Sequence, residues 1–106
     1  MEQWTVAARS GELAPGEHKI VDVDGVRVVV FNLDNSYYAI EDVCTHDGGA
    51  LDGGCVEGGQ IVCPRHGARF CIKTGAALTP PAYEPVPTFP VRLLNGEIQV
   101  RDDRWD

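Results

Sequence analysis

The sequence predicts an all-β chain of short antiparallel strands, and three observations carry that expectation. Apolar residues alternate or gather in runs too short for a helix, the longest being Val28-Val29-Val30-Phe31 between Arg27 and Asn32. Glycine and proline, 12 and 7 residues, are spread along the chain and interrupt helical stretches. Asp24-Gly25 and Asn95-Gly96 sit between β-branched or apolar stretches, a strong short-range signal for two-residue hairpins.

In chain order, Trp4-Thr5-Val6-Ala7 reads as a first strand and Ala14-Pro15-Gly16-Glu17 as the turn after it. Lys19 to Val23, Val26 to Leu33 and Tyr37 to Ile40 follow as a meander, with Asp34-Asn35 turning the chain before its last member. The segment from Val43 to Gly75 differs: it holds all four cysteines, two of the three histidines and most of the glycines. Only Gln60 to Cys63 and Arg69 to Ile72 look like strands there, so the segment reads as loops mounted on a scaffold, where binding sites concentrate. Thr79-Pro80-Pro81-Ala82-Tyr83-Glu84-Pro85 makes a third, rigid loop, because proline fixes the backbone and cannot join a central strand. Phe89 to Leu94 and Glu97 to Arg101 close the chain as a hairpin.

With 106 residues the expectation is one domain, 1–106, able to bury a modest core. Sixteen acidic residues against nine basic ones give a formal charge of −7, which argues against a nucleic-acid binder and fits a partner with a basic docking face. No apolar run approaches membrane-spanning length, and Met1-Glu2-Gln3-Trp4 lacks the basic and apolar regions of a signal peptide. The expected location is the cytoplasm, where four cysteines suggest metal or redox chemistry before a disulfide framework.

Two clusters organise the middle segment: Cys44-Thr45-His46 and, sixteen residues on, Cys63-Pro64-Arg65-His66. Gly48, Gly49 and Gly67 beside them allow tight turns. Thiolate and imidazole are ligands for transition metals, so two such pairs suggest a four-ligand centre. A structural zinc site is one reading, although zinc knuckles usually pair cysteine with cysteine, and here each loop offers one Cys and one His. Blue copper is a second, but the sole methionine is Met1, which leaves no axial ligand of the usual kind. The third is a [2Fe-2S] cluster with mixed ligands.

In that third reading, Cys44-x-His46 with Cys63-x-x-His66-Gly67 resembles the Rieske signature. The resemblance extends to Thr45, to Gly48-Gly49-Ala50-Leu51, to Pro64 and Phe70, and to Pro87 through Val91. It implies an antiparallel β-sandwich with a cluster-binding loop subdomain (loops about 43–75, a covering proline loop about 79–85) and one Rieske-type [2Fe-2S] cluster. By the same resemblance Cys44 and Cys63 hold the inner iron and His46 and His66 the outer one. Replacing two thiolates by neutral imidazoles makes the oxidised centre neutral, so it accepts an electron more readily than an all-cysteine ferredoxin does. High-potential relatives carry a disulfide across the two loops and hydroxyls near the sulfurs. The matching positions here are Gly49 and Arg65, then Ala68 and Phe70, which implies a low-potential centre.

Beyond the two clusters the chain has only His18, so it cannot also assemble the two-His, one-carboxylate iron site of an oxygenase. The resemblance is to the stand-alone ferredoxin component of aromatic-ring-hydroxylating dioxygenase systems. It implies a monomeric one-electron carrier between a flavin NAD(P)H reductase and a terminal oxygenase. The alternative is a small Rieske subunit of a nitrite reductase-like complex, or a structural or sensing metal module. Plainer expectations cover the rest. Cys55 and Cys71 read as packed or semi-exposed thiols whose pairing only geometry decides, Asp47 as a solvated loop carboxylate, and Arg65 as either a source of positive potential near the irons or an exposed loop charge. Trp4, Phe31 and Phe89 read as core, and His18 as a strand-edge residue.

Overall fold

In the computed structural model, which describes residues 3–103, ten strands form three antiparallel sheets. The ends of the expected 1–106 domain, including Met1 and Glu2, lie outside the described residues. Strands β1 (Thr5–Arg9), β2 (His18–Val23), β3 (Val26–Leu33) and β4 (Ser36–Glu41) come first. β5 (Val56–Glu57), β6 (Gln60–Val62) and β7 (Arg69–Cys71) lie in the glycine-rich segment. β8 (Thr88–Phe89), β9 (Val91–Leu94) and β10 (Glu97–Val100) complete the chain. The sheets run β1-β10-β9, β2-β3-β4-β8 and β5-β6-β7.

The middle sheet is buried on both faces, and β3 shows why its sequence is an unbroken apolar run. Val28 and Val30 pack with Ala8, Ile98, Val100 and Phe89 toward the first sheet. Val29 and Phe31, one step out of phase, pack with Leu51, Ile61, Phe70 and Ile72 on the opposite face. A strand alternates sides every residue, so a strand covered twice loses its polar face. The face opposite the first sheet supports the loops.

The expected turns form with the required backbone. Asp24-Gly25, Asp34-Asn35 and Asn95-Gly96 all have positive φ at both positions, as a type I′ hairpin needs. A fourth such pair, Gly58-Gly59, joins β5 to β6, and β5 itself has no sequence counterpart because two residues are too few to show a period. The expected strand from Phe89 to Leu94 is corrected: β8 pairs with β4 and β9 with β10, so the chain changes sheets at Pro90. Proline has no N–H to continue a ladder, which makes it the natural break. Trp4 is only half-buried, its ring covered by the Arg92 guanidinium 4.1 Å from the centroid. Phe31 and Phe89 are core, as expected.

Candidate metal centre

The two ligand loops share one backbone design. In each, the cysteine carbonyl accepts a hydrogen bond from the glycine N–H four residues on: Gly48 to Cys44 at 2.7 Å, and Gly67 to Cys63 at 3.0 Å. In each, the cysteine N–H donates to the carbonyl one residue further, Gly49 or Ala68, at 2.7 Å. Gly48 and Gly67 both have φ of +74°, a conformation that glycine enters without a Cβ penalty. The histidine sits at the second position after cysteine in one loop and at the third in the other.

This design sorts the four side chains by depth. Cys44 and Cys63 are buried among Leu51, Ile61, Ala68 and Phe70, whereas His46 and His66 are exposed. The imidazole rings face each other edge to face, with centroids 5.0 Å apart. Burial pushes the Cys44 thiol above its usual range, against backbone N–H groups of His46 and Asp47 aimed at the sulfur. Burial acts the same way on Cys63, but the N–H groups of Arg65 and His66, a hydrogen bond from the Cys44 thiol and the Arg65 charge outweigh it and bring that thiol down. The backbone is thus arranged to receive negative sulfur, the state in which a thiol binds metal. His46, Asp47 and His66 also bring one ligand-type atom each within 4.8 Å of one another.

Three contacts that the sequence did not reveal hold the loops. Asp42, its carboxylate buried, accepts N–H bonds from Leu51 and Asp52 at 2.8 Å on one oxygen, while Arg27 lies 3.4 Å from the other. This ties the end of the first loop to its beginning. Thr45 donates its hydroxyl to the Glu84 carbonyl at 2.7 Å, joining the first loop to the proline loop, whose Ala82, with Val86 just after the loop, shares the core of the two cysteines. Asp47 and Arg65 form a two-pronged ion pair at 2.6 and 3.0 Å, and Arg65 also donates to the Ala50 carbonyl at 2.9 Å. Both charges lie at the surface, as expected from sequence, but they are paired: each is the other's partner across eighteen positions. Such pairings join residues distant in sequence, so no local pattern signals them.

The remaining candidates lie apart from this group. Cys55 and Cys71 are free thiols, the first exposed and the second half-buried. His18, on edge strand β2, sits against Phe31 with its Nε2 3.3 Å from Asp52. Ala68 and Phe70 are fully buried beside the cysteines and bring no hydroxyl.

Residues 3–90 match the model of the Rieske [2Fe-2S] domain. The chain belongs to the Rieske [2Fe-2S] family. The biphenyl dioxygenase ferredoxin subunit of Pseudomonas sp. (strain KKS102) is 35% identical over 98 residues, covering 92% of this chain and 90% of that protein. The 3-phenylpropionate/cinnamic acid dioxygenase ferredoxin subunit of Escherichia coli (strain K12) is 39% identical over 88 residues, 82% of each. Among solved structures, the ferredoxin of carbazole 1,9a-dioxygenase from Nocardioides aromaticivorans IC177 superposes with a TM-score of 0.89 at 35% identity, covering 92% of this chain and 96% of that one. A chain in the complex of reduced oxygenase and oxidized ferredoxin of carbazole 1,9a-dioxygenase gives 0.88 at 31% identity, covering 92% of each. This Rieske protein is a ferredoxin-type electron carrier with one [2Fe-2S] cluster, and not a catalytic subunit. The donor set fits that cofactor: two buried thiols surrounded by N–H groups, and two imidazoles on the solvent side.

Proposed function

We propose that Cys44 and Cys63 hold the inner iron and His46 and His66 the outer one. On this reading the protein carries single electrons at low potential from a flavin NAD(P)H reductase to the terminal oxygenase of an aromatic-ring dioxygenase system. The observation that carries the reading is the sorting by depth, with thiols inside and the imidazole pair at the surface. When bound, the cluster accepts and returns one electron. The chain's own contribution is to keep the sulfur side dry, satisfy the sulfurs with backbone N–H groups, and leave the imidazole side open to a partner. Electron transfer then needs only close approach of that face.

Low potential follows from what surrounds the sulfurs. Ala68 and Phe70 supply no hydroxyl to stabilise the more negative reduced state. The midpoint should fall near the negative end, roughly −150 mV, of the range spanned by Rieske centres. The relatives' names supply the system: their ferredoxins serve biphenyl and phenylpropionate dioxygenases. We further read residues 1–106 as one cytoplasmic, monomeric domain, with 43–75 as the cluster-binding part and 79–85 as its cover. None of the described elements is a helix long and apolar enough to cross a membrane.

The test is a redox titration of the purified brown protein followed by electron paramagnetic resonance. A mixed-ligand [2Fe-2S] signal, a midpoint below zero and reduction by NADH with a flavin reductase are expected. A colourless zinc protein would refute the ligand set, and a midpoint well above zero would refute the low-potential reading.

A further inference from the structure

We propose that Arg65 and Asp47 are positioning residues, a clamp that fixes the spacing of the two ligand loops and so sets how firmly the protein retains its cluster. The inference rests on the ligand assignment proposed above. Within each loop the backbone bonds described above are local, and each loop is satisfied by itself. The two loops meet at the thiols, at the imidazole rings and at His66 Nδ1, 3.6 Å from Asp47 Oδ2, and the side chain of Arg65 adds the hydrogen-bonded fork between them. It meets both carboxylate oxygens of Asp47 and the carbonyl of Ala50, so the guanidinium is held at three points on the opposite loop. A planar fork bound this way fixes direction as well as distance.

Gly49 makes room for it. A Cβ added at Gly49 would stand 2.6 Å from both Cζ and Nη2 of Arg65, and its three nearest atoms all belong to that guanidinium. The notch in the first loop is therefore filled by the second loop's guanidinium. Asp47 is itself braced, since its Oδ1 accepts the Gly49 N–H at 2.9 Å, which aims the carboxylate across the gap. Because the fork is partly exposed, its strength depends on geometry and not on burial.

Gly49 also supplies the decisive variant. Gly49→Ala leaves every charge in place and costs the fold little, because the clashing atoms are the end of a flexible side chain, yet it evicts the guanidinium. Arg65→Ala removes the contact, and Asp47→Asn weakens it by taking away the charge and the Oδ2 acceptor of Nε while its amide oxygen still serves the Gly49 N–H. The measurement is the half-life of the cluster's visible absorption in the holoprotein at a fixed elevated temperature, with the reduction potential of each variant alongside.

All three variants should lose the cluster faster, Arg65→Ala by about tenfold, the scale of a charge-assisted contact. Arg65→Ala combined with Gly49→Ala should be no faster than Arg65→Ala alone, since both remove one interaction. The potential should fall in Arg65→Ala, rise in Asp47→Asn and move least in Gly49→Ala, because it follows charge whereas retention follows the clamp. Half-lives equal to the parent's, or retention that improves in one charge variant and worsens in the other, would overturn the clamp. A parent protein without a mixed-ligand signal would instead fell the ligand assignment, and the clamp with it.

Discussion

At the scale of single residues, the chemistry turns on which atoms face the sulfurs and which face solvent. Phe70 is fully buried in the core that holds both cysteines, and Phe70→Tyr adds a hydroxyl to that core. The potential should rise on redox titration, because a donor near sulfur favours the reduced state. His66→Cys should lower the potential or prevent cluster assembly, since it adds a negative ligand, and an unchanged potential would remove His66 from the ligand set. Cys71 offers a pH test away from the centre. The hydroxyl of Thr74 hydrogen-bonds its sulfur and brings the thiol below its ordinary range, against burial. The folded state thus favours the thiolate: the stabilisation is present above the ordinary thiol pKa and is lost as pH falls through the lowered one. Alkylation of Cys71, followed by peptide mass, should begin at lower pH than in Thr74→Val. Identical profiles would remove the hydroxyl's role.

Elements decide how the ligand loops are mounted. Asp42 stands at the end of β4 and closes the first loop through two N–H bonds. Asp42→Ala leaves both donors without that acceptor and should cost about 3 kcal/mol in chemical denaturation. Asp42→Asn keeps the accepting oxygen but turns the buried Oδ2 position into a donor facing the Arg27 guanidinium, so it should cost less than Asp42→Ala, about 1–2 kcal/mol. Gly54 lies where the chain enters the third sheet, and a Cβ there would stand 1.9 Å from the Val62 carbonyl. Backbone cannot yield as a side chain can, so Gly54→Ala should destabilise by about 3 kcal/mol and loosen β5 from β6. Hairpins of this kind were legible where Asx-Gly or Asp-Asn pairs flanked long strands. β5 and the break at Pro90 were not, because two-residue strands carry no period and a sheet change depends on distant partners.

For the whole molecule, one layer order serves both stability and function. The sheet β2-β3-β4-β8 is shared, with its first core toward β1-β10-β9 and its second toward the ligand loops. The cysteines are part of that second core, which keeps water from the sulfur side while the imidazoles stay exposed. A net charge of −7 surrounds this arrangement. If the reductase proposed above docks through a basic face, its encounter should slow as salt is added, since screening shortens the reach of the field to about 8 Å at physiological ionic strength. Stopped-flow reduction between low and high salt measures this, and a rate independent of salt would exclude electrostatic steering.

By itself the sequence determined the all-β class, four of the turns and the four candidate ligands with their spacing. These are local: a period of two, a glycine pair, a cysteine two or three residues from a histidine. The inside-outside order of thiols and imidazoles was implied by resemblance and is seen in the fold, whereas the tertiary structure alone decided that Asp42 closes one loop and that Arg65 reaches Asp47 across the site. Those facts depend on packing and on hydrogen bonds between residues far apart in the chain. A side chain's chemistry can be read from its letter, but its partner is fixed only when the fold brings the two together.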